Sequence, residues 1–419
     1  MHKTCTCTCT CACTSTEALR NRPIRLRKTR SAGADPLSTN NKTQHVLFTT
    51  SNRTRALAQS AAPIDQFATS ATARLLARLH DIGESDSFLF GHQNTGFSTQ
   101  TAQARFVVSD ILTSVGGFPA VVGFNLANLR NRALRTALQD AQRRGAVLTA
   151  SWEATNPLTG GNAHDADNNT VASILAGGPA TERWKQMLDE AADFLRSLDT
   201  PVLLRPFHEN TGDRDGYWWA AGACTAEEYR RLWRLTQLRL WDRGAHNLLF
   251  VYSPAKPDRD WSRAFKAYYP GSAQVDVIAF DYYGADDISR GLASCCQQTA
   301  AFAAAEGKPT AIAEFGMQGG FGSKGSQYTV SPKWFMDSFL HPVLTSKACR
   351  RIAYALTWTN AAPNRYYVPL PHQSAHPSFV ELYRSGSAVF AGEALERLGV
   401  TPELLADRAA AAATLRRWR

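Results

Sequence analysis

What most restricts the fold open to this chain is an eightfold alternation that begins after Ala62. Apolar runs of strand length are separated by segments whose apolar residues recur at helical spacing. The runs are SFLFGHQ (87–93), AVVGFNL (120–126), AVLTASWEA (146–154), PVLLRPFHE (201–209), NLLFVYSP (247–254), VDVIAFDYYG (275–284), PTAIAEFG (309–316) and RIAYALTWTNA (351–361). Most are continuously apolar, as parallel strands buried on both faces are. Between them, 101–116, 129–144, 179–198, 225–243, 289–306 and 332–349 read as helices; Trp184, Leu188, Ala191 and Leu195 fall on one face. The interval between the fifth and sixth runs is short and predicts a degenerate helix. The pattern predicts an α/β chain, a single (β/α)8 TIM barrel with a disordered N-terminal extension. A doubly wound open sheet is the alternative, but no GxGxxG follows the first run.

The domain plan is an extension at 1–62, a barrel at 63–395 and a helical, basic tail at 396–419. Residues 1–60 carry ten Lys or Arg against two acids, so most of the net charge of +10 sits there. The body is nearly neutral and has no basic stripe suited to phosphates, which argues against nucleic acid as a partner. No run of 18 apolar residues exists, so no membrane span is expected. No apolar core follows the basic N-terminal residues, so no signal peptide is visible. Cys5, Cys7, Cys9, Cys11 and Cys13 do not have the CxxC spacing of zinc sites. In the body, the adjacent Cys295 and Cys296 cannot face the same way on a helix, and with Cys224 and Cys349 they suggest no disulfide framework. Nothing bears on oligomeric state.

The runs end in polar groups: His92-Gln93, Asn125, Trp152-Glu153, His208-Glu209, Asp281, Glu314 and Trp358. In a barrel of this kind the C-terminal rim is where catalysis happens. RPFHE (205–209) delivers Arg205, His208 and Glu209 from an apolar strand. Arg205 and Glu209 share parity, so an Arg–Glu pair closing the barrel is one reading. Glu314 ends the seventh run, across the same mouth. Two carboxyl groups about 5–5.5 Å apart are what retaining glycoside hydrolysis requires, one held protonated and the other ionised. Tyr217-Trp218-Trp219, Tyr282, Tyr283 and Trp358 lie on the same rim, where aromatic faces stack on sugar rings. A metal hydrolase using His92, His208, Glu209 and Asp281 is a competing reading. It lacks an HxH after the first strand, and no metal or cofactor is expected. Serine chemistry lacks a GxSxG.

In order along 85–385, the segments GHQN (91–94), SWEATNPLTGG (151–161), LLRPFHENTGD (203–213), YWW (217–219), VYSP (251–254), YYPG (268–271), VDVIAFDYYG (275–284), AEFG (313–316), ALTWTNA (355–361) and RYYVPLP (365–371) resemble glycoside hydrolase family 26. Its best-known members are endo-β-1,4-mannanases. The resemblance implies Glu209 as acid/base and Glu314 as nucleophile. It implies Tyr283 as the residue orienting the nucleophile, with Asp281 preceding it on the strand. It places His92, Trp152, His208, Trp218, Trp219 and Trp358 against the sugar. Two departures stand out. Thr359 replaces an arginine often found after the last strand's Trp, and the loop ENTGDRDGYWW is longer and lacks an early aromatic. The expected substrate is a polysaccharide, mannan first, with β-1,3:1,4-glucan, β-1,3-xylan or a silent carbohydrate-binding barrel as alternatives. Such a substrate implies secretion.

Overall fold

The computed structural model describes residues 62–98, 109–211, 216–256, 261–322, 330–362, 364–392, 396 and 398–400. The extension at 1–61, the tail beyond 400 and the first part of the 101–116 helix lie outside them. All described residues belong to one compact unit.

Eight strands occupy the eight apolar runs: β1 Phe88–Gln93, β2 Val121–Asn125, β3 Val147–Ser151, β4 Val202–Arg205, β5 Leu248–Tyr252, β6 Val277–Gly284, β7 Thr310–Met317 and β8 Ile352–Thr357. Each pairs in parallel with its sequence neighbour. The β1–β8 register, Leu89 opposite Tyr354 through His92 opposite Thr357, closes the sheet into a barrel. The helices are α1 Ser70–Gly83, α2 Asp110–Val115, α3 Arg132–Arg143, α4 Thr170–Ala176, α5 Pro179–Arg196, α6 Ala226–Asp242, α7 Trp261–Tyr268, α8 Ser289–Glu306, α9 His341–Thr345 and α10 His376–Arg384. A wide helical turn, Phe335–Leu340, leads into α9, and α7 is the shortened helix expected between β5 and β6. A four-residue strand, Ala388–Ala391, adds in parallel to the start of β1 and pairs antiparallel with Phe118–Pro119.

Strand parity sorts the core. Leu89, Val121, Val147, Leu203, Leu249, Val277 and Ala311 fill the barrel interior. Their neighbours Phe88, Val122, Leu148, Leu204, Phe250, Ile278 and Ile312 face the helix layer. Helix α1 buries Leu75, Leu76, Leu79 and Ile82 in the interior cluster and forms the floor. Its approach is fixed where residues preceding strands receive it: Ile64 N–H donates to Asp276, Thr69 N–H to the His246 carbonyl, and Asp65 pairs with His246. A Cβ on Gly83 would lie 2.8 Å from the Arg351 carbonyl, so only glycine lets α1 sit this close. Val400, assigned from sequence to the C-terminal tail, is buried in the same floor. Closing the floor leaves the C-terminal rim open. Among the described residues no helix is long and apolar enough to cross a membrane.

The expectation of no disulfide is corrected. Cys296 on α8 is bonded to Cys349 in the turn before β8, 53 residues away, with Cα atoms 5.0 Å apart. Cys295 and Cys296 do point apart, but the partner of Cys296 lies on a distant element that only barrel closure brings near. A loop of this length predicts a loss of about 2–4 kcal/mol when the bond is removed. Denaturant unfolding of Cys296→Ala/Cys349→Ala against wild type measures it; a difference under about 0.5 kcal/mol contradicts the prediction.

Candidate active site

The site begins with a break in β4. The strand ends at Arg205, and both Phe207 and Glu209 take left-handed backbone conformations, φ 53° and 52°. Such geometry is strained for bulky L-residues and survives only where surroundings over-determine it. Phe207 meets the rings of Trp184, Trp218, Trp219, Tyr229 and Trp233 at centroid distances between 5.8 and 6.4 Å. The Tyr229 hydroxyl donates to the Phe207 carbonyl at 3.0 Å, and the Trp219 indole N–H donates to the His208 carbonyl at 2.9 Å. Glu209 N–H donates to the Ser253 carbonyl, which ties the turn to the end of β5.

Two readings of the sequence meet this cage. Trp218 and Trp219 are fully buried, and their indoles serve the Ala154 and His208 carbonyls, so neither offers a face to a sugar. Arg205 does not pair with Glu209, because the turn abolishes the parity that a continuous strand would have kept. Arg205 instead donates from Nη1 to both Asp281 oxygens at 3.2 Å and from Nη2 to Glu314 Oε1 at 2.5 Å.

Glu314 reaches the mouth through a second irregularity. On β7, Ile312 pairs with Phe280 and Glu314 with Asp281, so Ala313 is an extra residue. Against β8 the register slips over the same stretch. Without this bulge Glu314 would share the outward parity of Ile312. With it, Ala313 and Glu314 both turn inward; bulges commonly re-aim side chains beside active sites. Tyr283 OH donates to Glu314 Oε2 at 2.8 Å, so each oxygen of Glu314 accepts one strong bond. Ser253 OH donates to Asp281 at 2.5 Å.

His208, Glu209, Tyr217, Lys256, Asp281, Tyr283, Glu314, Gln318, Trp358 and Tyr367 border one cavity of about 350 Å³. Among the residues expected against a sugar, His92 and Trp152 are absent from it. Trp152 follows the outward parity of Leu148 and Ala150 and stacks on Trp184 at 5.0 Å. Its neighbour Glu153 takes the inward parity, its N–H held by the Asn125 side chain. His92 shares the parity of Phe88 and Phe90, is fully buried, and bonds Thr95 at 2.7 Å. Tyr217 borders the cavity as its place on the rim suggested, whereas Tyr367, Lys256 and Gln318 had no assigned place. Tyr367 is set by Asn360, whose amide oxygen accepts from Tyr367 and Val368 N–H and whose amide nitrogen donates to Asp110 and the Val368 carbonyl.

Three carboxylates, Glu209, Asp281 and Glu314, present oxygens within 4.8 Å of one another. Such a cluster also suits a divalent cation, but Arg205 already bridges two of its members and supplies the compensating charge. Both Nη nitrogens of Arg205 are committed to Asp281 and Glu314, so Glu209 lies outside the clamp. Burial, then the Glu314 charge, pushes the Glu209 carboxyl up to about 8, with Arg205 opposing. Burial holds the Tyr283 phenol well above its ordinary range, so it remains a donor. His208 is kept neutral by burial and by the adjacent Arg205. One acid therefore carries a proton at neutral pH beside one held by two donors.

The model of glycosyl hydrolase family 26 matches residues 64–321. A mannan endo-1,4-beta-mannosidase of Bifidobacterium adolescentis is 29% identical over 326 residues, covering 71% of this chain; the chain spans 32% of that protein's length. A β-mannanase of this family from Bacteroides ovatus superposes with a TM-score of 0.69 at 29% identity, covering 78% of this chain and 96% of that one. The catalytic domain of an endo-beta-1,4-mannanase from Bacillus sp. JAMB-750 gives 0.72 at 28% identity, covering 78% and 93%.

Removing Arg205 strands two buried carboxylates. Arg205→Met is expected to cost about 3–5 kcal/mol in denaturant unfolding at pH 7; a loss below about 1 kcal/mol contradicts the clamp.

Proposed function

The chain belongs to glycosyl hydrolase family 26, and on that premise we propose that it is a retaining endo-β-1,4-mannanase acting by double displacement. The observation that carries the reading is the pairing of unlike carboxyls, Glu209 and Glu314, with oxygens within 4.8 Å. Inverting enzymes hold their two acids about 6.5–9.5 Å apart to admit water between acid and sugar, whereas retaining ones keep them about 5–5.5 Å apart.

In the first step a Glu314 oxygen attacks the anomeric carbon. The bond to the leaving oxygen breaks, and Glu209 delivers its proton to that oxygen. In the second, the Glu209 carboxylate takes a proton from water while the water oxygen bonds to the anomeric carbon and Glu314 departs. Glu209 is thereby protonated again. Tyr283 and Arg205 orient Glu314, each holding one of its oxygens with a hydrogen bond. Asp281 anchors Arg205. His208 and Trp358, which border the cavity, contact the sugar directly. His92, Trp152, Trp218 and Trp219 act from behind the cavity wall.

The substrate is a polysaccharide, and the mannanase names of the relatives favour mannan. The Cys296–Cys349 bond supports secretion, since such bonds persist in oxidising compartments.

Glu314→Ala and Glu209→Ala are each expected to lose at least about 10³-fold in turnover of mannan while remaining folded, since nucleophile and acid/base chemistry both depend on the pair. Near-wild-type turnover by either would refute the roles. Parallel assays on galactomannan, lichenan and β-1,3-xylan identify the chain attacked; exclusive hydrolysis of either of the last two refutes the mannan reading. Mannan binding without hydrolysis by the wild-type protein would make it a silent binding barrel. The pH profile follows from the raised carboxyl. Glu209 must be protonated to donate, so kcat/KM on mannan falls as pH rises through about 8. An aryl mannoside whose leaving group needs no proton should keep its first step above that pH.

A further inference from the structure

Tyr217 differs from four tyrosines around the site whose hydroxyls are committed to the protein. Tyr229, Tyr252, Tyr268 and Tyr283 each donate their hydroxyl to a carbonyl or carboxylate of the protein. The Tyr217 hydroxyl meets no such acceptor among the described residues, although the residue borders the cavity with Glu209 and Glu314 and is only 8% exposed. Its ring is clamped. Trp219 stacks on it at 4.4 Å with the planes 5° apart, and His164 stacks on it at 4.6 Å and 24°. Two near-parallel rings at those distances take opposite faces, so neither face of Tyr217 is open to stack on a sugar. What remains to the cavity is the ring edge and its hydroxyl. Burial and the surrounding carboxylates, Glu209 foremost, keep the phenol protonated far above neutral pH.

We propose that Tyr217 is a further substrate-binding residue, its clamped hydroxyl donating a hydrogen bond to a hydroxyl or ring oxygen of the sugar bound beside Glu209. A phenol held rigid by stacking loses little rotational freedom on making such a bond, so more of the bond's free energy appears as affinity. The assignment makes Tyr217 a reader of hydroxyl pattern rather than an aromatic platform, and it rests on the reading of this cavity as the sugar-cleaving site.

Tyr217→Phe removes the hydroxyl and keeps the stack. One hydrogen bond of ordinary strength predicts that kcat/KM on mannan or mannooligosaccharides falls about threefold to tenfold, carried mainly by KM. Thermal stability should stay at the wild-type value and the alkaline limb near pH 8 should not move. Tyr217→Leu, which removes the stack as well, should lower stability. Unchanged kcat/KM for Tyr217→Phe overturns the proposal. So does a shifted alkaline limb, which would place the phenol on Glu209 instead of the sugar. A stability loss matching Tyr217→Leu would make the hydroxyl structural and overturns it too. Wild-type turnover in the same assay tests the glycosidase reading separately.

Discussion

The site depends on a shortage of positive charge. Three carboxylic acids converge on the barrel mouth, and one buried guanidinium, Arg205, is placed to hydrogen-bond two of them. Burying an ionised carboxylate without a partner is costly enough that the group takes a proton instead. Arg205 gives its Nη nitrogens to Glu314 and Asp281, and Glu209, left outside that clamp, has its carboxyl pushed up to about 8 by burial. The difference between the environments of Glu314 and Glu209 thus follows from where one side chain's nitrogens point. A lysine could not replace it, since a single ammonium lacks the planar fork that spans two acids.

That geometry needs two departures from regular strand structure, and the fold holds both in place. The turn after β4 carries Phe207 and Glu209 at positive φ, and the aromatic rings packed between β4, α5 and α6 lock it there. The bulge at Ala313 rotates Glu314 into the mouth, and Tyr283 and Arg205 seize it on arrival. Rigidity here comes from packing and backbone hydrogen bonds behind the cavity, which frees the cavity-facing groups for ligand. Asn360 does for Tyr367 what the tryptophans do for Glu209, through four hydrogen bonds from one amide.

The barrel was legible because buried parallel strands are written as continuous apolar runs, and every one of the eight lies where its run does. Glu209 and Glu314 were legible because each ends such a run in a charge. Facing was not legible beyond the regular strands. Trp152 and His92 were placed against the sugar although their parity sends them outward, while Glu153, the inward neighbour, went unassigned. Parity alone would have turned Glu314 outward as well, because a one-residue bulge leaves no mark in composition. Trp218 and Trp219 resembled stacking platforms, and only the cage around Phe207 reveals them as its supports. The disulfide stayed hidden because its partners meet through closure of the barrel, not through spacing.

The central claim is that Glu314 is the nucleophile and Glu209 the proton donor. Incubation with a 2-deoxy-2-fluoro mannosyl fluoride should slow the second displacement and let the covalent intermediate accumulate. Peptide mass spectrometry is then predicted to find the fluorosugar on the peptide containing Glu314, with one label per chain. A label on Glu209 would contradict the account.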